Sequence, residues 1–235
     1  MATAAAGFGA PRKRPNIVYI MADDHASHAI SAYGSRINKT PNIDRIAAGG
    51  MRMNNVFCTN SICTPSRAAI LTGQYSHKNG VYTLADRLDP SRNHVAKELQ
   101  KAGYQTSMIG KWHLASDPTG FDHWKILPGQ GVYYDPVFLD STGKKKHEGY
   151  CTDLIADFSL DWLGKRDKSK PFFLMCHHKA PHRPWDPAPK YAKLFDGQDI
   201  PEPDNLYDHY AGKPKSVADF KMRVGENSTE RDVKR

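Results

Sequence analysis

Three apolar runs, each ending abruptly in polar residues, limit what this chain can fold into more than any other feature. "NIVYIMA" runs into Asp23 and Asp24, "YQTSMIG" into Lys111 with His113 just beyond, and "KPFFLMC" into His177 and His178, with His182 close behind. Runs with little alternation are how strands covered on both faces of a parallel sheet read. Between them lie segments whose apolar residues fall at helical spacing: Ile43, Ile46 and Ala47; Val95, Ala96, Leu99 and Ala102; and Leu154, Ile155, Phe158, Trp162 and Leu163. Strand and helix therefore alternate, which predicts an α/β fold with a mostly parallel central sheet flanked by helices. In such sheets ligands gather at the carboxyl ends of the strands, where these polar residues stand.

Local punctuation refines the order of elements. Thr40 before Pro41 reads as a helix start, and Thr64 before Pro65 repeats the pattern. That places Cys63 at a helix N-terminus with Arg67 four residues along. "MRMNNVFC" is expected to return as a strand. Residues 119–146 show no clear period and are expected to form a long surface excursion with a possible hairpin. After "APHRPWDPAPKY" the apolar periodicity fades, so the closing elements of an open sheet are expected beyond this chain, a C-terminal truncation. Residues 1–14 read as a flexible basic segment, 15–210 as one region and 211–235 as a polar tail.

A chain of 235 residues that is 39% hydrophobic can bury a sizeable core as one domain. The net charge of +8 suits an anionic partner, such as nucleic acid, a membrane surface or a sulfated or phosphorylated substrate. It equally suits a solvated basic surface fed by the runs at 12–14 and 144–146. No recognition-helix pattern, aromatic RNA motif or zinc-finger spacing accompanies the charge, so nucleic acid is not an expected partner. No apolar run is long enough to span a bilayer, and "MATAAAGFGAPRKRP" has the order of a secretory signal reversed. Cys58, Cys63, Cys151 and Cys176 are too scattered for a disulfide scaffold or a zinc cluster.

The polar residues themselves point to two kinds of ligand. Adjacent carboxylates such as Asp23 and Asp24 offer the oxygens that hard divalent cations take, while cations and backbone N–H groups at a helix start suit a tetrahedral oxyanion. His177 and His178 cannot both face the site if strand alternation persists. His25 is near the carboxylates without an assigned role.

Four segments, in order, resemble the sulfatases of the alkaline-phosphatase superfamily. "CTPSRAAILTG" is similar to the family's Cys-x-Pro-x-Arg signature, and "GYQTSMIGKWHL" to its Gly-Tyr-x-Thr strand and Gly-Lys-Trp-His. "PNIVYIMADD" and "APHRPW" also look like the family's, so the likeness runs from Asn16 to about Asp204. The resemblance implies an alkaline-phosphatase-like sheet, with 15–210 an incomplete N-terminal catalytic domain. It implies that Cys63 is oxidised by a formylglycine-generating maturation enzyme, and that one hydroxyl of the hydrated aldehyde attacks sulfur while the other later releases sulfate. Calcium would be held by Asp23, Asp24 and modified Cys63. Arg67 and Lys111 would neutralise the sulfuryl group, His113 would hydrogen-bond the diol or a sulfate oxygen, and His182 would protonate the leaving oxygen. The implied substrate is a sulfated glycan, of the N-acetylglucosamine-6-sulfate type, and the implied residence periplasmic or secreted.

One departure stands out. The family completes its metal site with a downstream Asp-Asn or Asp-His pair and a further lysine, in a segment this chain does not contain. Asp204-Asn205 follows the Pro-His motif too soon, and no apolar strand precedes it, so it receives no role. Two alternatives remain open from sequence: a phosphonate or phosphodiester hydrolase of the same superfamily, and an inactive relative that only binds polyanions.

Overall fold

The computed structural model describes residues 13–202 and 204–219. Most of the expected basic N-terminal segment and of the polar tail lies outside them. The chain forms two compact units. One comprises residues up to Asp23 together with Asn55–Lys179, and the other Asp24–Asn54 together with residues from Ala180 onward.

The first unit is built on six strands: β1 (Ile17–Met21), β2 (Gln105–Lys111), β3 (His123–Leu127), β4 (Val137–Asp140), β5 (Gly143–Lys146) and β6 (Phe172–His177), in the order β1-β6-β2-β3-β4-β5. β1, β6, β2 and β3 are mutually parallel, and β4 and β5 add antiparallel at the β3 edge. Helices α2 (Cys63–Thr72), α3 (Ser76–Asn79), α4 (Val95–Lys101) and α5 (Cys151–Lys165) belong to this unit, and α1 (Pro41–Gly49) and α6 (Lys215–Ala218) to the other. The expected mostly parallel sheet flanked by helices is what the chain forms.

Burial on both faces explains the unbroken apolar runs of β2 and β6; β1, expected to be covered in the same way, is instead the edge strand paired with β6 alone among the described residues, and its Val18, Tyr19 and Ile20 are exposed. Along β6, Phe173 and Met175 join one core with Ala68, Leu71, Met108, Trp112 and Phe121, while Phe172, Leu174 and Cys176 join a second with Ile109, Leu127, Phe138 and Ile155. Neighbouring residues on a strand point to opposite faces, so both must be apolar when both faces are covered. Gly110 shows how closely the strands approach: at φ +106° a Cβ there would lie 1.9 Å from the His177 carbonyl oxygen of β6. Only glycine fits.

Three further local expectations are corrected. "MRMNNVFC" is not a strand; Met51 and Phe57 are exposed, and the Met51/Met53 alternation breaks at Asn54-Asn55, leaving no single apolar face to bury. α2 begins at Cys63 with Ile62 as its extended cap, so Thr64 and Pro65 lie inside the first turn, where a missing N–H costs nothing. Residues 119–146 are not all surface excursion, because β3 is a parallel strand of the sheet. Its charged Lys125 disguised it: the ammonium pairs with Asp140 at 3.4 Å and lies 4.6 Å over the Phe158 ring, so the strand tolerates the charge. The hairpin is β4–β5, and Lys144, Lys145 and Lys146 on its outer strand blunt the sheet edge.

In the second unit, Thr40 precedes α1, but its hydroxyl contacts Ser31 and Asp44 rather than capping the helix. Asp44 accepts from the Ser31 hydroxyl at 2.6 Å and the Ala32 N–H at 2.8 Å. Those hydrogen bonds hold its carboxyl below the usual range.

Candidate active site

Strand register brings the polar ends together. His177 of β6 stands opposite both Met21 of β1 and Gly110 of β2, so Asp23, two residues past Met21, and Lys111, next to Gly110, emerge on either side of it. α2 supplies Cys63 in its first turn and Arg67 one turn later. Asp23, Arg67 and Lys111 are all buried, at 6%, 5% and 0% exposure, a condition charged side chains tolerate only when paired.

They are paired with one another. Asp23 Oδ1 accepts from Arg67 Nη2 at 3.2 Å, and Asp23 Oδ2 accepts from Lys111 Nζ. Arg67 Nη1 also donates to the Lys111 carbonyl at 2.5 Å. The half-buried Cys63 places Sγ 3.9 Å from Asp23 Oδ1. One carboxylate between two cations leaves an excess of positive charge beside the thiol, which favours an anion in a poorly solvated place.

His177 lines the same cluster, its Nδ1 3.3 Å from Arg67 Nη1. Burial, reinforced by the Arg67 guanidinium, pushes it down to about 3, so its ring is neutral. His178 continues the strand alternation: its N–H donates to the Met21 carbonyl, and its ring lies by Cys176 Sγ at 3.7 Å. His113 follows β2 in the left-handed region, φ +53°, as does Ala115. The Trp112 indole N–H closes that turn on the Ser116 carbonyl at 2.6 Å. His113 thereby lines a cavity of about 420 Å³ with Leu84, Trp112, Leu127 and Leu139. A left-handed non-glycine residue costs energy that the surrounding fold must offset.

Asp24 and His182 lie in the second unit. Asp24, exposed and also left-handed at φ +61°, has Oδ2 3.7 Å from His182 Nε2. His182 Nδ1 is 2.7 Å from the Arg183 carbonyl, which can only accept, so Nδ1 is assigned the proton. The other nitrogen then faces the carboxylate.

Two residues near the cluster escape sequence reasoning. Gln130, in the turn after β3, accepts from Lys111 Nζ at 2.6 Å. Lys179, two residues past β6, is only 2% exposed. A glutamine in "LPGQG" and a lysine in "HHKAP" look like ordinary surface residues, and nothing in their spacing marks them.

Two depressed histidines give a pH test. Burial lowers His94 to about 4, as it does His177 to about 3, from an ordinary 6.5. Below 6.5 the unfolded chain takes up protons at these imidazoles that the folded chain refuses. Their contribution is therefore present above about pH 6.5 and is lost as pH falls toward 4 and then 3. Denaturant unfolding between pH 4 and 7 is expected to show stability dropping with pH, with a shallower slope in His94→Gln and in His177→Gln. Unchanged slopes would mean that neither ring is held neutral.

A family model described as Sulfatase matches residues 15–220. An N-acetylglucosamine-6-O-sulfatase of Bacteroides thetaiotaomicron is 48% identical over 220 residues, 92% of this chain and 39% of the relative. A structure of a protein in complex with its substrate D-glucosamine-2-N,6-O-disulfate superposes with a TM-score of 0.90 at 47% identity, covering 94% of this chain and 45% of that one. The phosphonate monoester hydrolase of Agrobacterium radiobacter superposes with a TM-score of 0.62 at 22% identity, covering 84% of this chain and 48% of that one, a likeness of fold alone. The chain spans about two fifths of the length of the curated relatives it matches. No helix among the described residues is long and apolar enough to cross a membrane.

Proposed function

This chain belongs to the sulfatase family, and from that premise we propose that it hydrolyses sulfate esters of a glycan, with 6-O-sulfated glucosamine as the substrate class. The single observation carrying the proposal is the buried Asp23–Lys111–Arg67 cluster with Cys63 Sγ 3.9 Å from the carboxylate. It joins a modifiable side chain to a carboxylate and to an excess of fixed positive charge. The substrate class is supported by the 48% identical relative named for 6-O-desulfation and by the disulfated glucosamine bound in the 47% identical structure.

In this proposal Cys63 is matured to formylglycine, whose hydrate supplies the nucleophilic hydroxyl. Its place in the first turn of α2, only half-buried, is compatible with reach by a maturation enzyme, and the family resemblance supports periplasmic or secreted residence. Arg67 and Lys111 stabilise charge on the transferring sulfuryl group, the arginine as a planar fork and the lysine as a point charge. His113 donates a hydrogen bond at the reacting group. The roles of Asp24 as a metal ligand and His182 as proton donor to the leaving oxygen rest on the resemblance alone.

The donor set suits calcium. Asp23 and Asp24 offer carboxylate oxygens, and a hydrated residue 63 would add another, whereas the encoded thiol is a soft ligand that calcium disfavours. When bound, the cation would polarise a sulfate oxygen and acidify the nucleophile. Lys111, which pairs with the Asp23 carboxylate, would have to share that carboxylate with a bound cation.

The test compares hydrolysis of glucosamine 6-sulfate with that of glucosamine 6-phosphate, after mass spectrometry of the peptide spanning 52–67 has established the state of residue 63. Sulfate release by formylglycine-containing protein is expected. A preference for the phosphate ester, or binding of both without turnover, overturns the proposal.

A further inference from the structure

β6 ends between the strand ends that carry Asp23 and Lys111, and Lys179 lies two residues beyond it. Its side chain is 2% exposed and its ammonium sits 4.9 Å over the ring of Tyr133. Tyr133 is a fixed platform. It is 3% exposed, stacks on Tyr150 at 5.8 Å between centroids, and its carbonyl accepts the N–H of Cys151, the first residue of α5, at 2.7 Å.

The turn just before Tyr133 delivers Gln130 to Lys111 at 2.6 Å. An ammonium only donates, so the amide oxygen faces it. The turn is fixed by Gly131, where at φ +67° a Cβ would lie 2.9 Å from the Leu127 side chain, and whose N–H donates to the Pro128 carbonyl at 3.2 Å. One short segment, 128–133, thus holds both buried lysines.

The ammonium charges of Lys111 and Lys179 repel each other. Lys179 is driven downward first by burial and then by Lys111, while Asp23, Cys151 and Cys63 act in the opposite sense. A fold that keeps such a pair gains most when an anion lies between them. We propose that Lys179 is a further anion-binding residue of this site, positioned by Tyr133 as Lys111 is positioned by Gln130. The inference rests on the sulfatase reading for the identity of the anion, not for its existence.

Calorimetric titration at fixed ionic strength with inorganic sulfate, glucosamine 6-sulfate and glucosamine 6-phosphate tests it, on the wild type and on Lys179→Gln, Lys179→Arg, Tyr133→Phe and Tyr133→Leu. Lys179→Gln is expected to bind the sulfated probes about tenfold more weakly, the scale of one charge-assisted contact. Lys179→Arg should recover part of that loss. Tyr133→Phe keeps the ring and should bind like wild type, while Tyr133→Leu should weaken binding severalfold.

Equal sulfate affinity in wild type and Lys179→Gln overturns the proposal, as does a change in melting temperature with no change in affinity, which would mark a packing lysine. If Lys179→Gln does not fold, the contrast between Tyr133→Phe and Tyr133→Leu decides. If wild type binds only the phosphate probe and Lys179→Gln weakens that binding, the sulfatase reading fails and Lys179 stands.

Discussion

Cys63→Ala is expected to reduce sulfate release from glucosamine 6-sulfate by a factor on the order of 10³ to 10⁶, as loss of a nucleophile does in enzymes that form covalent intermediates. The fold should survive. Cys63 is half-buried in the first turn of α2, and the helix is anchored by buried Arg67, Ala68 and Leu71 rather than by the thiol. Affinity for the sulfated ligand should also survive, because Arg67 and Lys111 keep their mutual contacts and their bonds to Asp23. A falling kcat with nearly constant binding is the expected signature, measured by sulfate release beside calorimetry. A variant retaining a tenth of the wild-type rate would remove Cys63 from the reaction and leave the site as an anion receptor.

Asp23→Ala should cost the most stability of any substitution in the cluster, about 3–5 kcal/mol, because it strands two buried cations without their carboxylate. Lys111 has no exposure and Arg67 only 5%, so water cannot replace the lost partner. For a domain of this size the loss corresponds to a melting temperature lower by roughly 10 °C. The double variant Asp23→Ala/Lys111→Met should recover part of it, since the stranded charge is then gone. Thermal unfolding of the two single variants and the double variant measures the coupling. If Asp23→Ala melts with wild type, the three charges are not mutually compensating and the electrostatic basis of the proposed site is lost. Calcium binding followed by calorimetry should fall in the same variant, since Asp23 is a proposed ligand.

The run "PFFLMCH" became β6, because a strand buried on both faces leaves no room for alternation, and that signal is local. α2 kept its helical character although its start moved from the Thr64-Pro65 pair to Cys63. Cap grammar identifies a helix better than it places its first residue. β3 escapes sequence reading because "HWKIL" carries a lysine whose charge is absorbed by Asp140 and Phe158 and a histidine that stacks on Trp162, residues distant in sequence. Gln130 and Lys179 went unread for the same reason: their significance lies in what they touch.

Residue order alone fixed the α/β alternation and the family signatures, and it put chemically able residues at strand ends, because burial periodicity and turn chemistry are properties of neighbours along the chain. Only the folded chain decided that Asp23 sits between Lys111 and Arg67, that His177 is neutral, and that one turn holds two lysines. Those outcomes depend on strand register and desolvation, which arise when segments 44 and 88 residues apart are brought within a few ångströms and water is excluded.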